Sequence, residues 1–192
     1  MQTIDVRQSL PASNTDRKQS ISDQSSNPSP SDFSLTSAKK KLRGQFYTVT
    51  NPFHNQLFLQ WYNHAIPANE KAFPLLEPFA GSNNILKMIE DLGLKHKWDC
   101  FDIEPSLQNA FPGTSVSQRD TLRNYPRGYK IAITNPPYLA KNSATRDGLA
   151  FPKCDYDDVY KYALDRMLES TPYVAAIIPE SFLTSGLFHN RL

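Results

Sequence analysis

The sequence contains little glycine, little cysteine and no long apolar run, and each of these shortages excludes a class of protein. The 7 glycines among 192 residues form neither a G-x-G-x-x-G fingerprint nor a G-K-[ST] phosphate loop, which argues against an NAD-binding domain and against a P-loop. The two cysteines, Cys100 and Cys154, lack CxxC or metal-ligand spacing, so no metal site is expected and a reducing cytoplasm is the simplest compartment. No apolar stretch is long enough to span a bilayer, so no membrane partner is predicted.

The composition fits one domain that follows a polar tail. The chain is 39% hydrophobic and 21% charged, which is enough apolar material for a core. Its net charge of +2 permits a nucleic-acid partner without arguing for one. Residues 1–38 are rich in serine and poor in aromatic residues, so this segment is expected to be a disordered tail. Residues 39–192 are expected to form the globular domain.

Short apolar runs alternate with helical periodicity along the globular part. Strands are predicted where such runs end in turns, and helices where apolar residues recur every three or four positions. This alternation predicts an open, largely parallel α/β sheet with helices on both faces. Strands are predicted at residues 73–77, 98–103, 130–134 and 173–178, with a third strand region before Asp120. One helix is predicted to begin at Asn51-Pro52-Phe53, a second to cover residues 85–92 and stop at Gly93, and a third to cover residues 155–169.

The stretch Asn135-Pro136-Pro137-Tyr138 follows one of these strands and is the most informative part of the chain. Two prolines fix φ at consecutive positions, and Pro136 keeps Asn135 out of the helical region, so the turn is stiff. It presents an amide, main-chain carbonyls and an aromatic ring at the carboxyl edge of the sheet, where open α/β sheets bind ligands. The amide oxygen and a carbonyl can accept both hydrogens of one planar –NH2 group, and Tyr138 can stack on the plane that carries it. The turn predicts methylation of an amino nitrogen, provided that the chain also binds a methyl donor.

Three other strand ends predict a nucleoside pocket without a phosphate cradle. The small-residue turn after the first strand lets a ligand approach the backbone at Gly81. Asp102 ends the next strand, where an acid can accept hydrogen bonds from both hydroxyls of a ribose, and Ile103 beside it could pack on an adenine face. Asp120 could accept a hydrogen bond from the exocyclic amine of adenine, and Glu77 could meet an ammonium group. S-adenosylmethionine has this combination of adenine, ribose and a cationic amino acid.

Each of these residues also has a purely structural interpretation. Asp102 and Asp120 can be helix caps or turn formers, and Glu77 can balance the charge at a helix start. Phe79 can be a core residue, and Asn135-Pro136 can be no more than a turn. The order of the four features, each at the carboxyl end of a strand, favours the functional interpretation.

On these motifs the chain resembles the N6-adenine DNA methyltransferases of the amino-methyltransferase group, with the γ order of motifs, over about residues 39–188. In that family a G-Q-F-[FY]-T motif precedes the glycine loop and contacts the methionine end of the donor, and residues 44–48 match it. Asn83 stands where a second glycine is usual. The resemblance implies donor contacts at Gln45, Phe46, Tyr47, Thr48, Glu77, Pro78, Phe79, Ala80, Gly81, Asp102, Ile103, Asp120 and Asn135, and catalysis by Asn135, Pro136, Pro137 and Tyr138.

The resemblance implies a partial methyltransferase catalytic domain of Rossmann-like fold in residues 39–192. S-adenosylmethionine is the implied cofactor, double-stranded DNA the implied partner, and a bacterial or phage restriction-modification system the implied setting. Relative to that family, the C-terminal part of the sheet and the target-recognition domain are expected to be missing. A downstream chain is then the candidate source of target recognition.

Two other functions stay open at this point. Methyltransferases that act on a protein glutamine or on RNA adenine use a similar Asn-Pro-Pro-Tyr turn, because a glutamine amide is also a planar –NH2 group. A truncated, non-catalytic module that binds the donor or a partner is the second alternative.

Overall fold

The domain is built on one five-stranded sheet. The structure, a computed structural model, describes residues 51–66 and 73–184, together with residues 186 and 188. The strands are β1 (Leu75–Glu77), β2 (Trp98–Asp102), β3 (Val116–Gln118), β4 (Ile131–Thr134) and β5 (Tyr173–Ala176). Their order is β3-β2-β1-β4-β5, and all four neighbouring pairs are parallel. The predicted parallel α/β fold is confirmed, whereas the expected tail and residues 44–48 lie outside the described residues.

The strand order creates a crevice beside the central strand. The chain moves outward from β1 through β2 to β3 and then returns to the other side of β1 as β4. The connections after β1 and after β4 therefore leave the sheet in opposite directions. This reversal is the topological switch point at which doubly wound α/β sheets bind ligands, outside the carboxyl ends of the strands.

Side chains on the central strands alternate between two cores, as the pleat of a strand requires. Leu75, Ile131 and Ile133 face one core, whereas Leu76 and Ala132 face the other. The helices are α1 (Gln56–Ala65), α2 (Asn84–Glu90), α3 (Lys141–Arg146), α4 (Val159–Ser170) and α5 (Ser181–Thr184). The first core is closed by α1 and α2 and the second by α4 and α5, so the predicted helices on both faces are confirmed.

The first helix begins later than its sequence pattern predicts. Asn55 caps α1, because its Oδ1 accepts a hydrogen bond from Phe58 N at 2.9 Å. Asn51 instead accepts from Phe53 N at 3.1 Å and donates from Nδ2 to Met88 O at 2.7 Å. Pro52 therefore belongs to a turn before the helix, and the Asn51 side chain ties that turn to α2.

The helix predicted for residues 155–169 is α4, which begins at Val159. Asp158 caps it, accepting hydrogen bonds from Tyr160 N at 3.2 Å and from Leu139 N at 3.1 Å. The same carboxylate thus starts the helix and holds the chain that leaves β4. The short helix α3 was not predicted. No helix in the described ranges has both the length and the apolar character needed to cross a bilayer.

Candidate active site

A cavity of about 1150 Å³ opens at the carboxyl ends of the central strands. Its wall is formed by the turn after β1, the ends of β2 and β3, the turn after β4 and a segment between α3 and α4. The structure therefore brings together at one cavity most of the strand-end residues that the sequence singled out. The predicted residues in the wall are Phe79, Ala80, Gly81, Asp102, Ile103, Asp120, Asn135, Pro136 and Pro137.

The small-residue turn after β1 is held from below by β2. Gly81 has a φ of +52° and donates its N–H to Asp102 Oδ2 at 2.8 Å, and Ala80 N donates to Phe101 O at 2.9 Å. These bonds bring the backbone of the turn against the end of β2. Ala80 has a small side chain and Gly81 has none, so a ligand can approach the main chain at these two wall residues.

Asn83 stands at the position where the sequence resemblance leads one to expect a second glycine. Its φ is +61°, a left-handed conformation that asparagine tolerates better than most residues, so the turn keeps a glycine-like backbone. The side chain is fully buried, and Nδ2 donates to Asn109 Oδ1 and to Thr114 O, both at 3.1 Å. The substitution therefore preserves the shape of the turn and ties it to the loop between β2 and β3.

Asp102 is buried at the end of β2, where its carboxylate organises two turns. Its Oδ2 accepts from Gly81 N and its Oδ1 from Glu104 N, both at 2.8 Å. Burial raises the pKa of this carboxyl, and the hydrogen bond from Gly81 N partly offsets the effect. Each carboxylate oxygen has a second lone pair, so the structural role leaves acceptor capacity for a ribose. Ile103, exposed at the rim, and Glu104 complete this part of the wall.

Asp120 lies in the cavity wall after β3 and also forms a turn. Its Oδ1 accepts from Arg123 N at 3.1 Å, and its Oδ2 lies 3.4 Å from Arg123 Nε. The Arg123 side chain is 89% exposed, and an exposed pair of this kind contributes about 0–1 kcal/mol. The turn-forming interpretation of Asp120 is therefore confirmed, while its contact with adenine stays a prediction.

Glu77 lies beneath the cavity and does not contribute to its wall. Its carboxyl is fully buried, and Oε1 accepts from Phe79 N at 3.0 Å and from Thr134 Oγ1 at 2.5 Å. Within the part of the chain that the structure describes, Oε2 has no hydrogen-bond partner, and burial raises the pKa of Glu77 to about 8. The Glu77 carboxyl thus ties β1 to the end of β4 from outside the described wall, and its contact with a donor ammonium stays a prediction. Pro78 is also buried, and its carbonyl accepts from Thr121 Oγ1 at 2.9 Å.

Phe79 combines the two interpretations that its sequence position allows. Its ring packs partly against the core on the α4 side of the sheet and also lines the cavity. The Phe79 ring therefore contributes both to the core and to the cavity wall.

The turn after β4 divides between the cavity and the protein interior. Asn135, Pro136 and Pro137 line the cavity, whereas Tyr138 does not. The Tyr138 ring packs against Tyr160, with centroids 5.7 Å apart. Its hydroxyl lies within hydrogen-bond distance of Ile177 O and donates to Asn135 Oδ1 at 2.6 Å. Contacts with a carbonyl after β5 and with the ring of Tyr160 thus hold Tyr138 beside the described wall, and its stacking on an acceptor stays a prediction.

Another part of the cavity wall was missed by the sequence analysis. It is formed by Leu139, Leu149, Ala150, Phe151, Pro152, Lys153, Val159 and Tyr162. The only sequence signal was a short apolar run after Gly148, in a region without strand or long-helix periodicity. No group of three potential metal-ligating side chains occurs among the residues that the structure describes.

No protein-family model and no curated protein matches the chain. Among solved structures, it is similar to a proposed class I S-adenosylmethionine-dependent methyltransferase from Listeria monocytogenes, with 15% sequence identity and a TM-score of 0.48. The match covers 81% of this chain and 55% of that protein, so this chain spans about half of its length. The topology itself defines a Rossmann-like α/β domain with a ligand cavity at the switch point of its sheet.

Proposed function

We propose that this protein transfers a methyl group from S-adenosylmethionine to the N6 amino group of adenine in DNA. The observation that carries the proposal is one shared cavity. The Asn-Pro-Pro turn after β4 lines the same cavity as the turn at Gly81, the acid at the end of β2 and the acid after β3. A methyl donor and an amino acceptor could therefore meet at Asn135.

The donor half of the cavity fits a cationic nucleoside. Asp102, Glu104 and Asp120 all belong to its wall, and the nearby Arg123 is already paired with Asp120. Three acids disfavour a pyrophosphate and favour a ligand that carries sulfonium and ammonium charges. Asp102 would hold the ribose, Ile103 the adenine face and Asp120 the adenine amine, while Gly81 leaves room at the backbone.

The acceptor chemistry requires little besides placement and acceptor groups. Asn135 Oδ1 and the Pro136 carbonyl would accept the two N6 hydrogens, which stabilises the positive charge that develops on that nitrogen. When bound, S-adenosylmethionine supplies an electrophilic methyl group, whose bond to sulfur breaks as the new C–N bond forms, and N6 then loses one proton to solvent. Holding the two partners in line contributes much of the rate, so no strong general base is required.

Tyr138 is suited to orient the Asn135 amide. Its hydroxyl has one hydrogen but lies next to two acceptors, Ile177 O and Asn135 Oδ1. If the Asn135 amide turns over, Nδ2 can donate to the hydroxyl while the hydroxyl donates to the Ile177 carbonyl. Oδ1 then faces the cavity, where the acceptor amine is expected. Burial raises the pKa of Tyr138, which keeps the phenol neutral and able to donate.

Double-stranded DNA is the proposed substrate. The protein is proposed to act on it in the cytoplasm, within a restriction-modification system. An adenine in a duplex must leave the base stack to reach a cavity of this kind, which costs a few kcal/mol. A further chain or region supplying target recognition would bind the surrounding duplex. The motif at residues 44–48, which matches the family's donor-contacting segment, supports DNA over a protein glutamine as the acceptor.

The proposal is tested by mass spectrometry of nucleosides after incubation with S-adenosylmethionine and unmethylated DNA. We expect N6-methyladenine with the wild-type chain and about a 10²- to 10³-fold lower rate for Asn135→Ala, because one stabilising acceptor is lost. Asn63→Ala, the same truncation on the exposed surface of α1, serves as the matched control and should retain full activity. Donor affinity, measured by calorimetry, should be nearly unchanged in both variants.

Parallel reactions with RNA and with a glutamine-containing peptide separate the alternative acceptors. Methylation of the peptide amide, with none on adenine, would refute the DNA assignment while leaving the donor site intact. Equal loss of donor binding and of turnover in Asn135→Ala would contradict the role given to the amide.

A further inference from the structure

Residues 140–158, the excursion, leave the turn after β4 and return to it. We propose that the excursion forms the acceptor half of the cavity and that its Phe151 supplies the face on which the acceptor ring stacks. The inference rests on the proposed function, because it concerns the acceptor of the same site. It extends that function by assigning the ring contact to a residue outside the Asn-Pro-Pro-Tyr turn.

The excursion is closed at its neck by backbone pairing. Ala140 and Asp158 form an antiparallel bridge, Lys141 N donates to Asp157 O at 2.8 Å, and Val159 N donates to Leu139 O at 3.1 Å. The Asp158 carboxylate adds the bond to Leu139 N described above. Both ends of the excursion are thereby fixed beside the catalytic turn, so its inner surface faces the cavity from a defined base.

The interior of the excursion is also organised. Ala144 of α3 is fully buried, and its carbonyl accepts from Leu149 N at 2.8 Å. Gly148 turns the chain between them with a φ of +64°, a conformation that a side chain would strain. The wall that follows, residues 149–153, is therefore tied to α3 at its first residue, Leu149.

The chemistry of this wall differs from that of the donor half. Leu149, Phe151 and Pro152 line it together with Val159 and Tyr162, and Lys153 adds a charged side chain at its edge in sequence. The aspartates of the excursion lie outside the wall, at positions 147, 155, 157 and 158. A largely apolar, partly aromatic enclosure suits an uncharged planar heterocycle such as adenine better than the flexible side chain of a glutamine.

The size of the cavity supports a second occupant. Single small-molecule sites have volumes of about 300–1,000 Å³, and the cavity here is about 1150 Å³. The acidic donor half and the apolar acceptor half therefore describe two compartments that meet at Asn135. Of the aromatic residues in the described wall, Phe79 belongs to the turn after β1 and Tyr162 to α4, so Phe151 is the ring that the excursion itself contributes.

The test is binding of a single-stranded oligodeoxyadenosine that contains one 2-aminopurine, whose fluorescence falls when the base stacks on an aromatic ring. Phe151→Leu removes the ring and keeps an apolar side chain, while Phe151→Tyr keeps the ring. Stacking of one base contributes about 1–3 kcal/mol, so we expect the leucine variant to bind the probe about 5- to 140-fold more weakly. The tyrosine variant should bind within a few-fold of wild type.

Phe73→Leu is the matched control, because this exposed ring lies at the opposite, amino end of β1. Donor affinity by calorimetry and thermal melting are measured on every variant, so that a folding defect is recognised. Selective loss of probe affinity in Phe151→Leu supports the assignment whether or not methyl transfer is detected. Unchanged probe affinity and quenching in that variant overturn it, even if the wild-type chain methylates adenine.

Discussion

The buried carboxyl of Glu77 makes stability depend on pH in a direction opposite to that of most surface acids. An unperturbed glutamate titrates near 4.5, whereas burial raises the pKa of Glu77 to about 8 in the folded protein. Between these values the unfolded chain has released the proton and the folded chain has kept it. The stabilising contribution is therefore complete below pH 4.5 and is lost as the pH rises towards 8.

The magnitude is large relative to the stability of a domain. Each pH unit inside this window changes the free energy of unfolding by about 1.4 kcal/mol, so the whole window between 4.5 and 8 is worth about 5 kcal/mol. Domains of this size are typically stable by about 5–15 kcal/mol in total. The effect should thus dominate the difference between wild type and a variant without the carboxyl.

Glu77→Gln is the perturbation, because an amide keeps the Oε1 acceptor for Phe79 N and the Thr134 hydroxyl but cannot ionise. We expect the variant to match wild type near pH 5 and to exceed it by several kcal/mol near pH 8. Urea unfolding followed by circular dichroism, at constant ionic strength from pH 5 to 9, measures this difference. Glu90→Gln, on the exposed side of α2, is the control. Parallel pH profiles for wild type and Glu77→Gln would refute the reasoning.

Two further predictions concern residues around the cavity. Tyr138→Phe keeps the ring against Tyr160 but removes the hydroxyl. Turnover in a methyl-transfer assay should therefore fall while donor affinity is retained, and the free energy of unfolding should drop by about 1–2 kcal/mol. Unchanged turnover would contradict the orienting role of the hydroxyl. Asn83→Gly and Asn83→Ala lose the same two hydrogen bonds, but only alanine is strained at a φ of +61°, so alanine should be less stable by about 1–2 kcal/mol in urea unfolding. Equal stabilities would show that the backbone conformation does not decide the choice of residue.

The sequence predicted the strands well because buried parallel strands are short, apolar and bounded by turns. Each observed strand with a predicted range lies inside that range. The helix starts were less accurate, since they depend on which polar side chain accepts the first free N–H. Asn55 and Asp158 do so, several residues after the positions at which the patterns suggest that the helices begin.

The donor half of the cavity could be predicted because its residues follow directly from strand ends. Gly81, Asp102 and Asp120 each follow or end a strand at the same edge of the sheet. The parallel strand order is enough to bring them together. The acceptor half could not be predicted in this way. The path of the excursion is fixed by bonds such as that from Leu139 N to Asp158, which no local pattern encodes. The direction of Tyr138 depends on the carbonyl of Ile177, 39 residues further along the chain.

Glu77 shows why a destabilising group can persist at the centre of such a fold. Burying a carboxyl is costly when one of its oxygens has no hydrogen-bond partner among the described residues. Such unfavourable local choices are expected mainly at functional sites. Its bonded oxygen accepts from Phe79 in the donor turn and from Thr134, the residue directly before Asn135. One carboxyl therefore fixes the spacing between the turn proposed to bind the methyl donor and the turn proposed to hold the acceptor. Because the proposed in-line transfer would depend on that spacing, a rigid link beneath both turns gives a functional reason to keep a group that lowers stability as the pH rises.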